Sequence, residues 1–170
     1  LDFSKLNDQE IESKKKPGSQ SNYRCHVRNR LSFDNCTFEG KILAYFPVEN
    51  EMQRNYKQNT IYNTDFHEAV VFNNCVFEKD ALFKYSRFYE VADFSGTEFS
   101  EEALFKYTKF EETIDFSNSE FGDEADFKYT KFEESVDFTS ARFTDFANFK
   151  YTEFPGASRL TNAVFERKSD

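Results

Sequence analysis

The chain has 170 residues, including 23 phenylalanines and no tryptophan, and its formal net charge is −9. This length suits one domain with a continuous core, but only 38% of the residues are hydrophobic, so phenylalanine must supply most of that core. No apolar run approaches the roughly 20 residues of a membrane span, and no secretory signal is recognisable. We therefore expect this segment to be soluble and to make no contact with a membrane.

The negative charge is unevenly distributed. Residues 1–58 contain ten Lys and Arg against eight Asp and Glu, a net charge of +2. Residues 59–168 contain twelve against 22, a net charge of −10, and Asp170 supplies the last −1. An acidic surface repels nucleic acid and favours basic partners at long range. We expect no direct nucleic-acid contact, although a plain solubilising surface explains the same charge.

Residues 1–30 are predicted to form a polar N-terminal segment that is partly flexible. Residues 9–22 combine polar side chains, three consecutive lysines and Pro17-Gly18, which is typical of a linker or a disordered segment. Three lysines are too few to indicate a nucleic-acid-binding arm. The first residue is Leu1 rather than Met, so we expect the chain to be part of a longer protein.

Residues 31–58 are predicted to hold a first repeat unit and then a capping segment or insertion loop. The unit spans residues 31–41, with Phe33 and Phe38 five residues apart, and the period then breaks over residues 42–58. This break carries four candidate partner contacts: Tyr45, Phe46, Arg54 and Tyr56. Two interpretations remain open, a hydrophobic cap over the first turn and a partner-binding loop, since solenoids often place function on insertions.

Residues 59–168 are predicted to form a regular array of ten eleven-residue units. Large apolar residues recur at alternating spacings of five and six, beginning at Ile61 and Phe66 and ending at Leu160 and Phe165. A second period of 22 residues is visible because Phe-Lys-Tyr recurs at 83–85, 105–107, 127–129 and 149–151. Two units therefore make one turn. The central rungs of the predicted core ladder are Phe83, Phe94, Phe105, Phe116, Phe127, Phe138 and Phe149.

The repeat predicts strands rather than helices. Steps of five and six would place successive rings about 140° apart around a helix, so they would form no single apolar stripe. The residue two positions before each Phe is small, as at Ala81 and Ala103 in one column and Ser86 and Thr108 in the next. Residues i−2 and i lie on one side of an extended chain. A leucine-rich repeat has a similar period, but its Leu-rich strand motif is missing.

A small residue, a polar residue, Phe or Leu, and two further polar residues resemble the pentapeptide-repeat family, whose pattern is A-(D/N)-(L/F)-x-x. Residues 92–96, Ala-Asp-Phe-Ser-Gly, match the whole pattern, and residues 125–127 and 147–149 match its first three positions. The resemblance covers about two thirds of the chain. It implies an all-β fold, a right-handed quadrilateral β-helix solenoid with about 22 residues per turn. The chain departs from the strict pattern by a sixth residue after every second pentapeptide, as at Val91 and Glu102.

The cysteines and histidines show no spacing typical of a metal or catalytic site. Cys36 and Cys75 each precede a Phe by two, so we expect both to point inward and to be unreactive. Reduced, buried thiols favour a reducing compartment, which predicts a cytoplasmic protein. His26 and His67 are far apart in sequence, and His67 occupies an outward position that predicts a solvated side chain. We therefore predict no catalytic residue, no cofactor and no metal.

The outward positions of the repeat supply the principal candidate partner surface. Lysines and tyrosines alternate there as a basic stripe edged by aromatic rings: Lys84, Tyr85, Lys106, Tyr107, Lys128, Tyr129, Lys150 and Tyr151. Tyrosine beside charge suits protein recognition. A solvated surface whose charges neutralise one another remains the alternative.

Two functional hypotheses follow. The first is a non-catalytic structural or protein–protein interaction module with an unidentified protein partner. The second is implied by the resemblance: some pentapeptide-repeat proteins mimic DNA and bind type II topoisomerases such as gyrase. The lysine stripe dilutes the negative charge, and no obvious dimerising helix follows Phe165. The first hypothesis is therefore preferred, and the sequence does not indicate an oligomeric state.

Overall fold

The computed structural model describes residues 1–6, 8–13, 21–52 and 56–169, so Arg54 and residues 14–20 of the predicted linker lie outside the described residues. These residues form 23 β-strands and one short 3-10 helix, Phe3–Lys5. In chain order the strands are β1 (Gln9–Ser13), β2 (Ser21–Val27), β3 (Leu31–Asp34), β4 (Thr37–Phe38), β5 (Ile42–Leu43), β6 (Tyr45–Met52), β7 (Tyr56–Phe66), β8 (Val70–Asn73), β9 (Val76–Phe77), β10 (Ala81–Leu82), β11 (Arg87–Phe88), β12 (Ala92–Asp93), β13 (Glu98–Phe99), β14 (Ala103–Leu104), β15 (Lys109–Phe110), β16 (Ile114–Asp115), β17 (Glu120–Phe121), β18 (Ala125–Asp126), β19 (Lys131–Phe132), β20 (Val136–Asp137), β21 (Arg142–Phe143), β22 (Ala147–Asn148) and β23 (Val164–Phe165).

The strands stack into four sheets, which we number as the faces of a β-helix. Face I contains β2, β7, β11, β15 and β19, together with β1 and β6; face II contains β3, β8, β12, β16 and β20. Face III contains β4, β9, β13, β17, β21 and β23; face IV contains β5, β10, β14, β18 and β22. The chain visits the faces in this order in every coil, which confirms the predicted all-β solenoid.

The coils are held in register by parallel pairing between equivalent residues. Ala81 pairs with Ala103, and Ala103 pairs with Ala125, so each pairing joins positions one repeat period apart. The backbone hydrogen bonds run from coil to coil, as from the Phe83 N–H to the Leu104 carbonyl at 2.8 Å. Each coil therefore depends on its neighbours for the satisfaction of its backbone groups.

The polar residue before each Phe has a local structural role at two of the corners. Between faces II and III, the Asp93 carboxylate accepts a hydrogen bond from the Ser95 N–H at 2.8 Å, and between faces IV and I, Asp126 accepts one from the Lys128 N–H at 2.9 Å. Such Asx turns initiate a change of chain direction. This contact explains why Asp or Asn precedes the ring in the repeat pattern.

The core is a set of four phenylalanine columns, as the ladder predicts. Phe83, Phe105 and Phe127 are fully buried and stack at 5.0–5.1 Å with interplanar angles of 4–7°. Rings from the opposite faces II and IV meet edge to face, as Phe94 meets Phe105 at 83°, so the rings combine two favourable arrangements. Six of the seven predicted central rungs are fully buried, and Phe149 is half-buried.

The predicted start of the ladder is wrong by one coil. Ile61 is half-buried and lies outside the core, whereas Val27 is buried at the position that pairs with Phe66. Ala44 is likewise buried, two residues beyond Ile42 and therefore below Phe83. A complete first coil thus precedes Phe66. In this coil, Val27 on face I and Ala44 on face IV occupy positions that phenylalanine fills in later coils.

The interruption predicted at residues 42–58 is an antiparallel β-hairpin that begins later in the chain than predicted. Ile42 is fully buried and continues face IV, so the break begins after Ala44. The chain leaves through β6 and returns through β7, which pair from Tyr45↔Asn63 to Met52↔Tyr56. Ala44 and Phe66 occupy successive positions of the ladder, so the whole hairpin is inserted into a single step of one coil.

Part of the predicted linker is ordered in strands. β1 and β2 form an antiparallel hairpin, and β2 pairs in parallel with β7 from Ser21↔Thr60 to Val27↔Phe66. The prediction failed here because the strand is made of polar residues and pairs with β7, the returning strand of the hairpin β6–β7, which lies far away in the sequence.

The two ends of the β-helix differ. At the first coil, Asp2 bridges to Leu43, and Phe3 is buried with its ring edge-on to Phe66 at 5.2 Å. The segment 1–6 therefore covers the core below Ala44. At the last coil, the ladder residues are partly exposed, by 38–45%: Phe154, Leu160 and Phe165.

Candidate interaction surface

Five tyrosines form a continuous stripe along one edge of the molecule, between faces IV and I. We call this set the tyrosine stripe: Tyr45, Tyr85, Tyr107, Tyr129 and Tyr151. The rings of Tyr85, Tyr107 and Tyr129 stack at 4.8–5.0 Å with interplanar angles of 5–7°. Four steps near strand spacing give the stripe a length of about 20 Å.

Hairpin β6–β7 contributes the first ring of the stripe. Tyr45 lies 6.0 Å from Tyr85 and extends the column by one step below the second coil. The structure thus brings together two sets of candidate residues that are separate in the sequence. Phe46 is half-buried opposite Tyr62 in the hairpin and lies outside the stripe. The side chain of Tyr56, like all of Arg54, lies outside the described residues.

The four repeat tyrosines have an unusual backbone conformation. Tyr85, Tyr107, Tyr129 and Tyr151 have φ between 58° and 62°, in the left-handed region. The opposite corner, between faces II and III, has the same conformation but carries residues that tolerate it better: Asn35, Asn74, Gly96, Asn118, Ser140 and Asn162. Asn and Gly visit this region readily, whereas a bulky residue there is an outlier.

The four repeat tyrosines of the stripe are more exposed than most of the lysines beside them. Tyr107 and Tyr129 are each 40% exposed and Tyr151 is 60% exposed. The lysine column was predicted to be exposed, but Lys84, Lys106 and Lys128 are half-buried, and only Lys150 of the four is exposed.

The lysines lie over the tyrosine rings. The Lys84 ammonium is 5.0 Å from the ring centroids of both Tyr45 and Tyr85, and Lys128 is 5.3 Å from that of Tyr129. These are cation–π distances. Burial, followed by repulsion from Lys106, lowers the pKa of Lys84.

A groove of about 440 Å³ adjoins the stripe on face I. Tyr85 and Tyr107 form one side, and Arg24, Arg87 and Lys109 are among its other lining residues. Arg24 donates a hydrogen bond to the Tyr85 carbonyl at 2.9 Å, so the N-terminal hairpin is fixed against the stripe. The groove therefore joins aromatic surface to basic side chains that are already ion-paired, Arg24 with Asp65 and Lys109 with Glu111 and Glu133.

Face I also carries a network in which opposite charges alternate. Lys109 bridges Glu111 at 2.9 Å and Glu133 at 2.7 Å, and Lys131 bridges Glu133 at 3.0 Å. Hydrogen bonds from Lys109 and then Lys131 lower the pKa of Glu133. The acidic columns on this face are therefore largely neutralised, as the alternative of a self-compensating surface predicts.

A second acidic region lies at the corner between faces III and IV. Burial, reinforced by neighbouring carboxylates that include Asp80 and Asp123, raises the pKa of Glu102. The same two effects raise the pKa of Glu124. Only some of the negative charges at this corner are paired with a cation, for example that of Glu101, which Lys79 bridges at 2.7 Å.

The cysteines only partly follow the prediction. Cys75 is fully buried at the small inward position, but Cys36 is half-buried because it belongs to the first coil. Cys25, in β2, is also fully buried.

Sequence reasoning missed a contact between the two histidines. His26 and His67 are widely separated in the sequence, yet their ring nitrogens lie 3.0 Å apart. The predicted solvated environment of His67 is wrong, since its ring also stacks on Tyr89 at 4.8 Å. No local spacing could reveal this contact, because it depends on the pairing of β2 with β7.

Comparisons with known proteins give one match. A family model described as pentapeptide repeats (9 copies) matches residues 61–100, 83–131 and 127–169. A comparison with curated proteins and another with solved structures each gave no match. Among the described residues, no helix is long and apolar enough to cross a bilayer.

Proposed function

Because the chain belongs to the pentapeptide-repeat family, we propose that it is a non-catalytic module that binds another protein through the tyrosine stripe. The observation that carries this proposal is the stack of exposed tyrosines at a corner whose backbone favours other residues. A bulky side chain in the left-handed region costs on the order of 1–2 kcal/mol. Stacking of about 0.5–1.5 kcal/mol per pair offsets this cost only where neighbouring turns also carry tyrosine.

The chain itself offers a less strained solution at the equivalent corner. Asn74, Asn118 and Asn162 adopt the same conformation between faces II and III. The backbone conformation alone therefore does not explain why four successive turns carry tyrosine at this corner. Tyrosine is one of the residues that contribute most to binding at protein interfaces, because its ring buries a large area and its hydroxyl group donates a hydrogen bond.

The lysines define the chemistry of the expected partner. The Lys84, Lys106, Lys128 and Lys150 side chains lie beside the rings at strand spacing. An acidic, aromatic-containing segment of a protein, lying along the stripe, would place carboxylates on the ammonium groups and apolar atoms on the rings.

A library of peptides displayed on phage and selected on the intact chain tests this proposal. Selected peptides should be acidic and should bind the double variant Tyr107→Asn/Tyr129→Asn at least about tenfold more weakly, the scale of interface hot spots. The matched control is Asn118→Ser/Ser140→Asn, which exchanges two residues at the opposite corner. Equal affinity for the wild type and the tyrosine variant would overturn the proposed surface.

The acidic corner between faces III and IV favours a second candidate, DNA mimicry toward a type II topoisomerase such as gyrase. A mimic needs closely spaced negative charges, and the carboxylates around Glu102 and Glu124 supply them. Against it, the carboxylates of Glu111 and Glu133 on face I are already bound by lysines.

A gyrase supercoiling and binding assay at low salt separates the two candidates. A mimic should inhibit gyrase, and its binding should weaken steeply with salt and on exchange of Glu102 and Glu124 for lysine. We expect no measurable binding of the wild-type chain, and that result excludes the mimic while leaving the tyrosine stripe as the proposed surface.

A further inference from the structure

Two histidines and an aspartate converge where the N-terminal hairpin joins face I. The Cα atoms of His26 and Asp65 pair across β2 and β7, and His67 follows at the end of β7. The alternate residues Val27 and Phe66 point into the core, so the three polar side chains share the outer side of the sheet. One nitrogen from each histidine and one oxygen from the aspartate all lie within 4.8 Å of one another.

The ring nitrogens of the histidines already face each other. Nδ1 of His26 lies 3.0 Å from Nε2 of His67, a distance at which the two nitrogens share at most one proton. A tetrahedral ion with zinc–nitrogen bonds of 2.0–2.1 Å holds its donor atoms about 3.3 Å apart. The pair is therefore close to the separation that a metal ion requires, and an ion would replace the shared proton.

The aspartate supplies a buried negative charge. Asp65 is only 7% exposed. Arg24 donates to Oδ1 at 3.0 Å and the Tyr89 hydroxyl donates to Oδ2 at 3.4 Å. A carboxylate has about four acceptor positions, so lone pairs remain for a cation.

Two neighbours flank the histidine rings. Oε1 of Glu10 lies 3.7 Å from Nε2 of His26, the nitrogen that faces away from His67. Histidines that bind metals usually direct their second nitrogen toward such a carboxylate. The ring of Tyr89 lies parallel to that of His67, at 4.8 Å and 7°.

From this geometry we propose that His26, Asp65 and His67 bind one divalent transition-metal ion, with zinc as the fitting example. Two imidazoles and one carboxylate suit zinc and its neighbours, whereas calcium and magnesium prefer oxygen ligands alone. Three protein ligands leave a fourth position for water. The ion would link β2 to β7. It would thereby fix the N-terminal hairpin, which lies beside the groove, to the second coil.

The test titrates the full chain, first treated with a chelator, with zinc chloride by calorimetry and with cobalt by absorption spectroscopy. The chain contains only two histidines, so cobalt bands typical of nitrogen and oxygen ligands report on this site. We expect one ion per chain and a higher melting temperature with zinc, because an ion that binds only the folded state stabilises it.

Variants locate the site. His26→Gln and His67→Gln should each weaken zinc binding by more than about 100-fold, and Glu10→Gln by about tenfold, as expected for a residue that only positions a ligand. Glu98→Gln, an exposed carboxylate on face III, is the matched control and should bind zinc as the wild type does. Circular dichroism verifies that each variant folds.

Three results would overturn the proposal. They are the absence of stoichiometric zinc binding by the wild type, unchanged affinity in both folded histidine variants, and a cobalt–thiolate charge-transfer band that places the ion on a cysteine. The wild-type titration decides the matter even where a variant fails to fold.

Discussion

The rings of Phe116 and Phe138 lie parallel, at an interplanar angle of 5° and with their centroids 5.1 Å apart. Phe116 stacks on Phe94 on its other side, at 5.3 Å, and is fully buried. A ring in the middle of a column therefore contacts a ring above and another below. The neighbouring rings cannot close a gap in the column, because each is held by the backbone of its own coil.

Replacement of Phe116 by Ala should lower the free energy of unfolding by about 3–5 kcal/mol, through lost transfer energy and the cavity left behind. Equilibrium denaturation in urea measures this loss. Phe154→Ala is the control, since Phe154 is 40% exposed and should lose less than half as much. A loss below about 1 kcal/mol for Phe116→Ala would contradict the role of the columns.

The N-terminal cap should contribute to stability despite its short length. Phe3 is buried against Phe66 below the first coil. Phe3→Ala should cost about 3 kcal/mol or more and should increase hydrogen exchange in the first coil before the middle coils. Lys5→Ala, in the same turn but exposed, is the matched control and should change stability by less than about 0.5 kcal/mol.

The cysteines should react in a fixed order with N-ethylmaleimide at pH 8. Burial raises the pKa of the Cys25 thiol to about 11, and burial also raises the pKa of Cys75. Since the thiolate is the reactive form, both should be protected, whereas the half-buried Cys36 should react first. Mass spectrometry of the native protein identifies the order, and Cys36→Ala should remove the fast phase. Faster labelling of Cys25 or Cys75 would show that their burial is wrong.

Glu102→Gln should stabilise the protein at pH 7 and not at pH 4. The folded protein raises the pKa of Glu102 above its ordinary value of 4.5, through burial and nearby carboxylates. The ionised form is thus disfavoured in the folded state, so the wild type loses stability as the pH rises through and above 4.5. The amide removes that penalty, which should raise stability by roughly 0.5 kcal/mol. Thermal melts at both pH values test this, and a greater gain at pH 4 would contradict it.

Tyr107→Asn should change the free energy of unfolding by less than about 1 kcal/mol, because two effects oppose each other. Relief of the left-handed backbone, on the order of 1–2 kcal/mol, offsets the loss of two stacked neighbours at about 0.5–1.5 kcal/mol each. The reverse exchange, Asn118→Tyr, introduces a bulky residue at φ 56° without such neighbours and should cost about 1–2 kcal/mol. Equal losses of stability in the two variants would contradict the backbone strain at the tyrosine positions.

The family and the solenoid were predictable because the ring spacing is visible in every coil from Phe66 onward. Only half of the first coil was predicted, as the unit with Phe33 and Phe38. The other half was not, since Val27 and Ala44 occupy its ladder positions without a ring. Ile61 misled the prediction because it stands five residues before Phe66, although in β7 it pairs with Pro47 and Asn22 outside the core.

The candidate surface was predictable in part. The period placed Tyr85 and its repeats on one edge, but the left-handed backbone that makes them unusual depends on corner geometry. The addition of Tyr45 and the meeting of His26 with His67 both depend on the path of the chain through β6 and β7. Such contacts between distant segments have no signature in local spacing.

The hairpin after Ala44 has a consequence for the cost of closing a loop. Most neighbouring coils are joined by pairings one repeat period apart, as Ala81 with Ala103, whereas Ser21 pairs with Thr60, nearly twice as far along the chain. Closure entropy grows only with the logarithm of loop length, so this extension costs about 0.5 kcal/mol. The chain departs and returns at one corner without displacing the ring columns on either side. This corner is therefore where the solenoid should tolerate a longer or different insert, so new binding segments could be exchanged there while the core remains unchanged.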